Sequence, residues 1–404
     1  MNSVHHYLVT WNPPPPAHLT QVIIEDETLR DGLQAPYVRR PSLDQKIQLL
    51  RLSAGIGTGQ AMIGFPSSSS REYADCLALL RSLMEDQSPI AAHFLGRPMA
   101  SDLAPIAALQ QSASWPVWAD FWVNASPLRM KIEGWAHEDL RTAITTAASF
   151  LLQEAIPFCV SLEDATRTPE AMLAELIMLS LDRGAGMIAI CDTAGEAIPE
   201  GAARLTRFVV DVIKVHTRMV PVLWHGHNDR GLALANALAA TEAGAQIISG
   251  TLLGVGERAG NTPIEQVVSY LHQAGHSSLK PSGIVAYAQA VARCLELAIP
   301  DSQALVGRQT FATAAGTHAA AIVKALTLGE PFADYVFSGV PAASLQRRQT
   351  ILVGPLMGVS GARHKLQELG LTATEARIQQ LLHLARERAT CLEDTEIAAL
   401  FAKP

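Results

Sequence analysis

The chain has 404 residues, a formal net charge of −7 and 49% hydrophobic residues. That composition supplies a large apolar core, and with no basic run in it the acidic balance argues against nucleic acid as a main partner. No apolar run reaches the ~18 residues of a membrane span, and the start MNSVHHYLVTWNPPPP lacks a basic segment leading into an apolar one, so no signal peptide is expected.

In chain order, Asn12 to Pro16 (NPPPP) end a leader of about twenty residues. A proline run is stiff, extended and not helical, so it reads as an arm or linker. A regular alternation follows. Short apolar runs predict strands at 22–26, 61–65, 90–94, 117–123, 157–162, 187–190, 220–225 and 246–251. Between them lie stretches of helical period, such as LDQKIQLLRLSAG, HEDLRTAITTAASFLLQEA and PEAMLAELIMLSLDRG, the last beginning beside Pro169, where a missing N–H costs little. Eight strand–helix units in about 250 residues predict a closed (β/α)8 TIM barrel. The rival, an open doubly wound sheet, usually has fewer units and a glycine-rich first turn. From about 280 the pattern changes to helical stretches (SGIVAYAQAVARCLELA, AAGTHAAAIVKALTLG and a pair near 374–401) around a turn-rich segment, DYVFSGVPAASLQRRQTILVGPLMGVSG. The expected division is an arm at 1–20, a barrel at 21–278 and a C-terminal, mainly helical subdomain at 279–404. Five scattered cysteines, with no CxxC pair, read as small buried residues in a reducing, cytoplasmic compartment.

In such a barrel chemistry sits where strands end. The polar residues there are Asp26, Arg30, Asp31 and Gln34 after the first strand; His93 and Arg97 after the third; and Ser161, Glu163, Asp164 and Arg167 after the fifth. The last three strands add Asp192 and Thr193, then His225, His227, Asn228 and Asp229, then Glu257, Arg258 and Asn261. In WHGHND, His225 and His227 share one face of a strand. They are either half of a metal site or two packed histidines. With the Asp31 carboxylate and the Asn261 amide oxygen they make a mixed N/O set without thiolate, suited to Zn, Mn, Co, Fe or Mg with positions left open. Arg30 is a fixed positive fork that stabilises a developing oxyanion beside a metal, or an ion pair at the barrel mouth. Glu163 is read as a direct participant rather than a helix cap or a partner of Arg167. Thr193 either caps a helix or binds a substrate carboxylate.

Together DETLRDGLQ, LEDATRT, CDTAGEAIP, HGHNDRGLALANALAATEAGA and GVGERAGNTPIEQVV resemble the barrel of the isopropylmalate, homocitrate and citramalate synthases, over about 20–275. Their metal-dependent superfamily includes hydroxymethylglutaryl-CoA lyase. The resemblance implies a divalent metal (Zn, Mn, Mg or Co) on Asp31, His225 and His227, with Asn261 as ligand or neighbour, and acetyl-CoA as co-substrate. It implies that the enolate of acetyl-CoA attacks a 2-oxo acid and that thioester hydrolysis releases a 2-hydroxy diacid. Arg30, Glu163, His318 (in AGTHAAAIVKAL) and Tyr335 (in DYVFSGVPA) are the implied catalytic residues, with His318 and Tyr335 proton carriers beside Glu163. Gln34, His93, Arg97, Ser161 and Thr193 are substrate-side candidates. The resemblance also implies a homodimer whose C-terminal subdomain covers the partner's barrel.

Two departures bear on the substrate. Met62, before the GFP turn, stands where the family commonly has glutamate, and NASPLRMKIEGW lacks a histidine often found after the SP, leaving Arg129 nearby to bind an extra anionic group or simply face solvent. A specialised-metabolism synthase is therefore the expectation. The lyases carry a cysteine in the loop after strand eight; here that loop reads GVGERAGN. The alternatives are a metal-dependent carbon–carbon lyase and a non-catalytic barrel that binds CoA or an oxo acid.

Overall fold

Eight of the apolar runs form eight parallel strands: β1 (Ile23–Asp26), β2 (Gln60–Gly64), β3 (Ala91–Gly96), β4 (Val117–Asn124), β5 (Phe158–Glu163), β6 (Met187–Asp192), β7 (Val222–Gly226) and β8 (Ile247–Gly250). In this computed structural model, which describes residues 4–401, they close in order, with β8 pairing back onto β1. The chain is thus a (β/α)8 TIM barrel with a helical C-terminal region. Strands covered on both faces need no polar alternation, and β2, β6, β7 and β8 are buried at every position. Inside the barrel Cys159, Met187, Ala189, Cys191, Leu223 and Ile247 pack together.

The outer helices follow local signals. Leu43–Gly55 starts with a capping box: the Gln45 N–H donates to Ser42 Oγ at 3.3 Å, and the Ser42 N–H donates to Gln45 Oε1 at 2.8 Å. Pro199–Val215 begins with proline in its first turn and buries Ala202, Thr206, Val209 and Ile213, a 4-3-4 spacing that makes one apolar stripe. No helix among the described residues is long and apolar enough to cross a membrane.

The chain divides into two units, Pro15–Ala298 and Met1–Pro14 with Ile299–Pro404. The first break falls inside the proline run, in a stretch without regular structure. The helix Ile284–Leu295 belongs with the barrel unit: it buries Ile284, Tyr287, Ala288, Val291 and Leu295, and the Tyr287 hydroxyl donates to Asp26 Oδ2 at 2.6 Å. The other unit holds helices Gly316–Leu326, Glu330–Tyr335, Val359–Glu368, Glu375–Arg386 and Asp394–Phe401, with a short parallel pair, Ala312–Thr313 and Thr350–Ile351. Its core includes Ile322, Leu366, Ile378, Leu381 and Phe401. Lys365 is fully buried there, its ammonium paired with Glu368 at 2.7 Å and Asp394 at 3.1 Å.

Candidate active site

Parallel register places the site. His225 on β7 pairs with Ser249 on β8, and Ser249 pairs with Glu25 on β1. Two residues on from Glu25, Glu27 shares its face. The Ser249 hydroxyl donates to Glu27 Oε1 at 2.6 Å, and His225 Nδ1 lies 3.0 Å from Ser249 Oγ and 3.1 Å from Glu27 Oε1. A carboxylate only accepts, so Nδ1 carries the hydrogen and Nε2 keeps its lone pair. That lone pair faces His227 Nε2 at 3.3 Å and Asp31 Oδ2 at 3.5 Å, with His227 Nε2 3.9 Å from the same oxygen.

The electrostatics suit a cation. Burial pushes both imidazolium pKa values down to about 4, so both rings are neutral donors at neutral pH. Burial also opposes ionisation of Asp31, but Arg30, His225 and His227 outweigh it and hold the carboxyl well below its usual range. Asn261 is 1% exposed, and neither of its amide atoms has a hydrogen-bond partner. The loop brings it close: a Cβ on Gly256 would lie 2.1 Å from Asn261 Oδ1 and 3.2 Å from Asp31 Oδ1, so only glycine lets the backbone pass here. An anionic carboxylate, two converging neutral imidazoles and an orphaned buried amide fit a divalent cation.

These groups open onto a cavity of about 460 Å³, lined by Arg30, Asp31, Gln34, Met62, Arg129, Ser161, Glu163, Thr193, His225 and His227 among others. Arg30 is held by Glu27 and by Asp31, the latter at 3.3 Å. Burial raises the Glu163 carboxyl above its usual range against the opposing pull of Arg129, and Glu163 Oε2 has no partner. Thr193 Oγ1 accepts from the Asp164 N–H at 2.8 Å. Arg258 sits in the left-handed region (φ 55°) and donates to the Thr193 carbonyl at 2.5 Å and to Asp229 at 3.0 Å, tying the loop after β8 to that after β6.

Other strand-end residues go elsewhere. Arg97 does not line the cavity; its guanidinium forks onto Asp102 at 2.7 and 2.9 Å. His93 is fully buried, bound to Asp120 at 2.8 Å and stacked on Trp118. Asp164 accepts both arms of Arg167. Asp26 points away from the barrel interior, to Ser53 and Tyr287, and Asp192 accepts the N–H groups of Glu196 and Ala197. Asn228 caps the helix Ala233–Glu242 by accepting the Ala233 N–H at 3.1 Å. His318 and Tyr335 lie in the other unit, where His318 packs on Phe337 at 4.2 Å and Tyr335 meets His5 edge-on at 5.6 Å. The strand-end reading omitted Glu25, Glu27 and Asp120, all on the cavity wall. Their signals were present, as two carboxylates of equal parity in IIEDE and one acid inside the apolar run VWADFWV.

The HMGL-like family model matches residues 21–291. A probable 2-isopropylmalate synthase of Methanopyrus kandleri is 30% identical over 369 residues, covering 91% of this chain and 70% of that protein. The 2-isopropylmalate synthase of Lactococcus lactis is 28% identical over 93% of this chain and 72% of its own length. Among solved structures, a hydroxymethylglutaryl-CoA lyase from Pseudomonas aeruginosa superposes with a TM-score of 0.58 at 15% identity, covering 70% of this chain and 94% of that one, which is a likeness of fold. With its barrel matched from β1 through the helix that follows β8, this chain belongs to the HMGL-like family.

Proposed function

We propose that the chain condenses acetyl-CoA with a 2-oxo acid and releases CoA and a 2-hydroxy diacid. The observation that carries this reading is the convergence of Asp31 and two neutral imidazoles beside Arg30 in one cavity. The alignment with 2-isopropylmalate synthases over 91% of the chain supports it. The loop after β8 brings Glu257 and Arg258 to the cavity and no cysteine, which weighs against cleavage of the lyase type.

Asp31, His225 and His227 would hold the metal, with Asn261 as fourth ligand or close neighbour. A bound divalent cation (Zn, Mn, Mg or Co) supplies Lewis acidity toward the carboxylate and keto oxygens of the oxo acid. The chain's own groups do the rest. Thr193, Ser161 and Gln34 orient the oxo-acid carboxylate. Arg30, pinned by Glu27 and Asp31, faces the oxygen that turns negative and needs no rearrangement to do so. Glu163, less acidic than usual because it is buried, is the group placed to hold or take a proton. The sequence resemblance adds His318 and Tyr335 as proton carriers. It also carries a homodimer, which sedimentation of the purified chain tests, and a cytoplasmic setting, consistent with five unpaired cysteines.

The test is thiol release from acetyl-CoA across a panel of 2-oxo acids, with the metal stripped and then restored. Free CoA that forms only with an oxo acid and restored metal is the expected result. Acetyl-CoA formed from a larger acyl-CoA, or binding without turnover, overturns the reading.

A further inference from the structure

A second cluster lies one step deeper in the barrel, and the reaction above does not use it. Glu25 (β1), His93 (β3) and Asp120 (β4) present donor atoms all within 4.8 Å of one another, and all three residues are buried. Glu25 precedes Glu27 by two residues on the same face, so it sits roughly 6.6 Å further down the strand. His93 Nδ1 is 2.8 Å from Asp120 Oδ2 and 3.7 Å from Glu25 Oε2, and the ring stacks on Trp118 at 5.3 Å.

Fully ionised, this cluster has one more negative charge than positive. Burial works against the His93 cation, but Asp120 outweighs burial and raises the imidazole above its usual value. One imidazolium balances one carboxylate, and Glu25 is the second. Glu25 Oε2 and His93 Nε2 have no hydrogen-bond partner, and the Arg30 guanidinium is engaged by Glu27 and Asp31. Burial raises the Glu25 carboxyl to about 7 against the opposing pull of His93 and Arg30, so below that pH a proton rather than a bound cation holds the extra charge. A packing role alone would close such a cluster off, yet both Glu25 and Asp120 line the 460 Å³ cavity. Met62, Leu95, Trp122 and Leu223 give the cavity apolar wall, and the same cavity carries Arg30, Arg129 and Arg258. Arg30 answers Glu27 and Asp31, and Arg129 acts on Glu163, which leaves the unpartnered Glu25 oxygen to receive a cationic end.

Building on the condensation reading, we propose that the 2-oxo acid bears a positively charged nitrogen group, guanidinium or ammonium, at its far end, and that Glu25 and Asp120 bind it at the barrel floor. The methylene chain then lies along Met62 and Trp122. An apolar thioether on β2 serves that chain better than a third carboxylate would, because another acid would compete for the same cation.

The test compares 5-guanidino-2-oxopentanoate with the neutral 2-oxo acid in which an isobutyl-type end replaces the guanidinium, by CoA release from acetyl-CoA. We expect the metal-loaded enzyme to favour the guanidino acid in kcat/KM by roughly 10-fold or more, the range of a charge-assisted pair. Glu25→Gln and Asp120→Asn, both isosteric, should collapse that ratio. An enzyme that prefers the neutral acid, or a ratio unmoved by either variant, overturns the proposal and leaves the condensation reading standing. If no oxo acid releases CoA, the condensation reading fails and calorimetric binding of the two acids without acetyl-CoA decides the floor separately. Tighter binding of the guanidino acid, lost in Glu25→Gln, supports it; equal binding overturns it. Two equivalents of metal per chain, the second lost in Glu25→Gln, would make the cluster a metal site and also overturn it.

Discussion

The barrel contains two histidine–carboxylate clusters, and they differ in the state of their imidazoles. At the mouth, His225 and His227 are neutral, and their Nε2 atoms converge on Asp31. One step down, His93 binds Asp120 through Nδ1 and is pushed toward its cation. Burial opposes the charged imidazole in both places. What differs is the partner. His225 also lies beside two acids, Glu27 and Asp31, but Arg30 is paired with both of them and Arg258 adds further positive charge, whereas His93 binds Asp120 directly, faces Glu25 and stacks on an indole. Residue type therefore does not decide between a cation's ligand and a cation's counterpart; the sign of the surrounding charge does.

The sharpest way to break this comparison is to remove the mouth cluster's anion. Asp31→Ala leaves two neutral imidazoles with no carboxylate. Metal content should fall to background and CoA release by ~10³-fold or more, beyond the ~100-fold ceiling for groups that only support a ligand. Elemental analysis of the purified variant checks the first and thiol release the second. Full metal retention would mean that these three residues are not the ligand set.

Arg30→Gln separates charge from binding. It removes the guanidinium that Glu27 and Asp31 hold in place but spares every proposed ligand. We expect kcat to fall by roughly 10²–10³, the range for a lost oxyanion donor, with bound metal within about twofold of the parent. A KM effect alone would reduce Arg30 to an anchor for the substrate.

Ser249→Ala reaches the same site from behind. Its hydroxyl bridges Glu27 and His225 Nδ1, so its loss loosens a ring that then has Glu27 alone behind it, rather than deleting a donor. Metal affinity should weaken by roughly 10–100-fold, read by competition with a chelator, while fully loaded enzyme keeps most of its kcat.

The strands were readable because a barrel strand is buried on both faces and shows as a plain apolar run; each of the eight lies within two residues of its expected ends. Their order and spacing were enough for the closed barrel. The division of the chain was harder to read. Helix Ile284–Leu295 has an apolar face, but periodicity does not say which neighbour covers it, and the Tyr287–Asp26 bond that ties it to the barrel joins residues 261 positions apart. At the site, strand-end position singled out Asp31, His225 and His227, which lie together in space. It also gathered Asp26, Arg97 and Asp192, which serve Ser53, Asp102 and helix-side N–H groups instead. Position along a strand sets height; only parity sets the face, and parity in IIEDE singles out Glu25 and Glu27 over Asp26. Which acid meets which histidine across β1, β3 and β4 is a matter of barrel register and is not written in any local stretch.

A third buried acid offers the gentlest test, because it resembles Glu25 without facing the cavity. Glu265 is fully buried, and burial raises its pKa to about 7 from an ordinary 4.5, with the Leu253 N–H donating to it at 2.9 Å. The native state thus holds a proton that the unfolded chain gives up between pH 4.5 and pH 7. Across that window the unfolded state binds fewer protons, so stability is full below about 4.5 and declines as pH rises toward 7. The ceiling is about 3 kcal/mol from 1.36 kcal/mol per pH unit, and relaxation around the side chain should halve it to about 1.5 kcal/mol. Denaturant melts at several pH values should show the slope in the parent and a flatter line in Glu265→Gln, which is always neutral. Glu25→Gln should flatten it less if a cationic group reaches the floor, because ligand binding shifts Glu25 toward its anion: adding 5-guanidino-2-oxopentanoate to the parent should then reverse the Glu25 share of the slope and leave the Glu265 share untouched. An equal response of both positions to that ligand would mean that it acts on the barrel as a whole and not on Glu25.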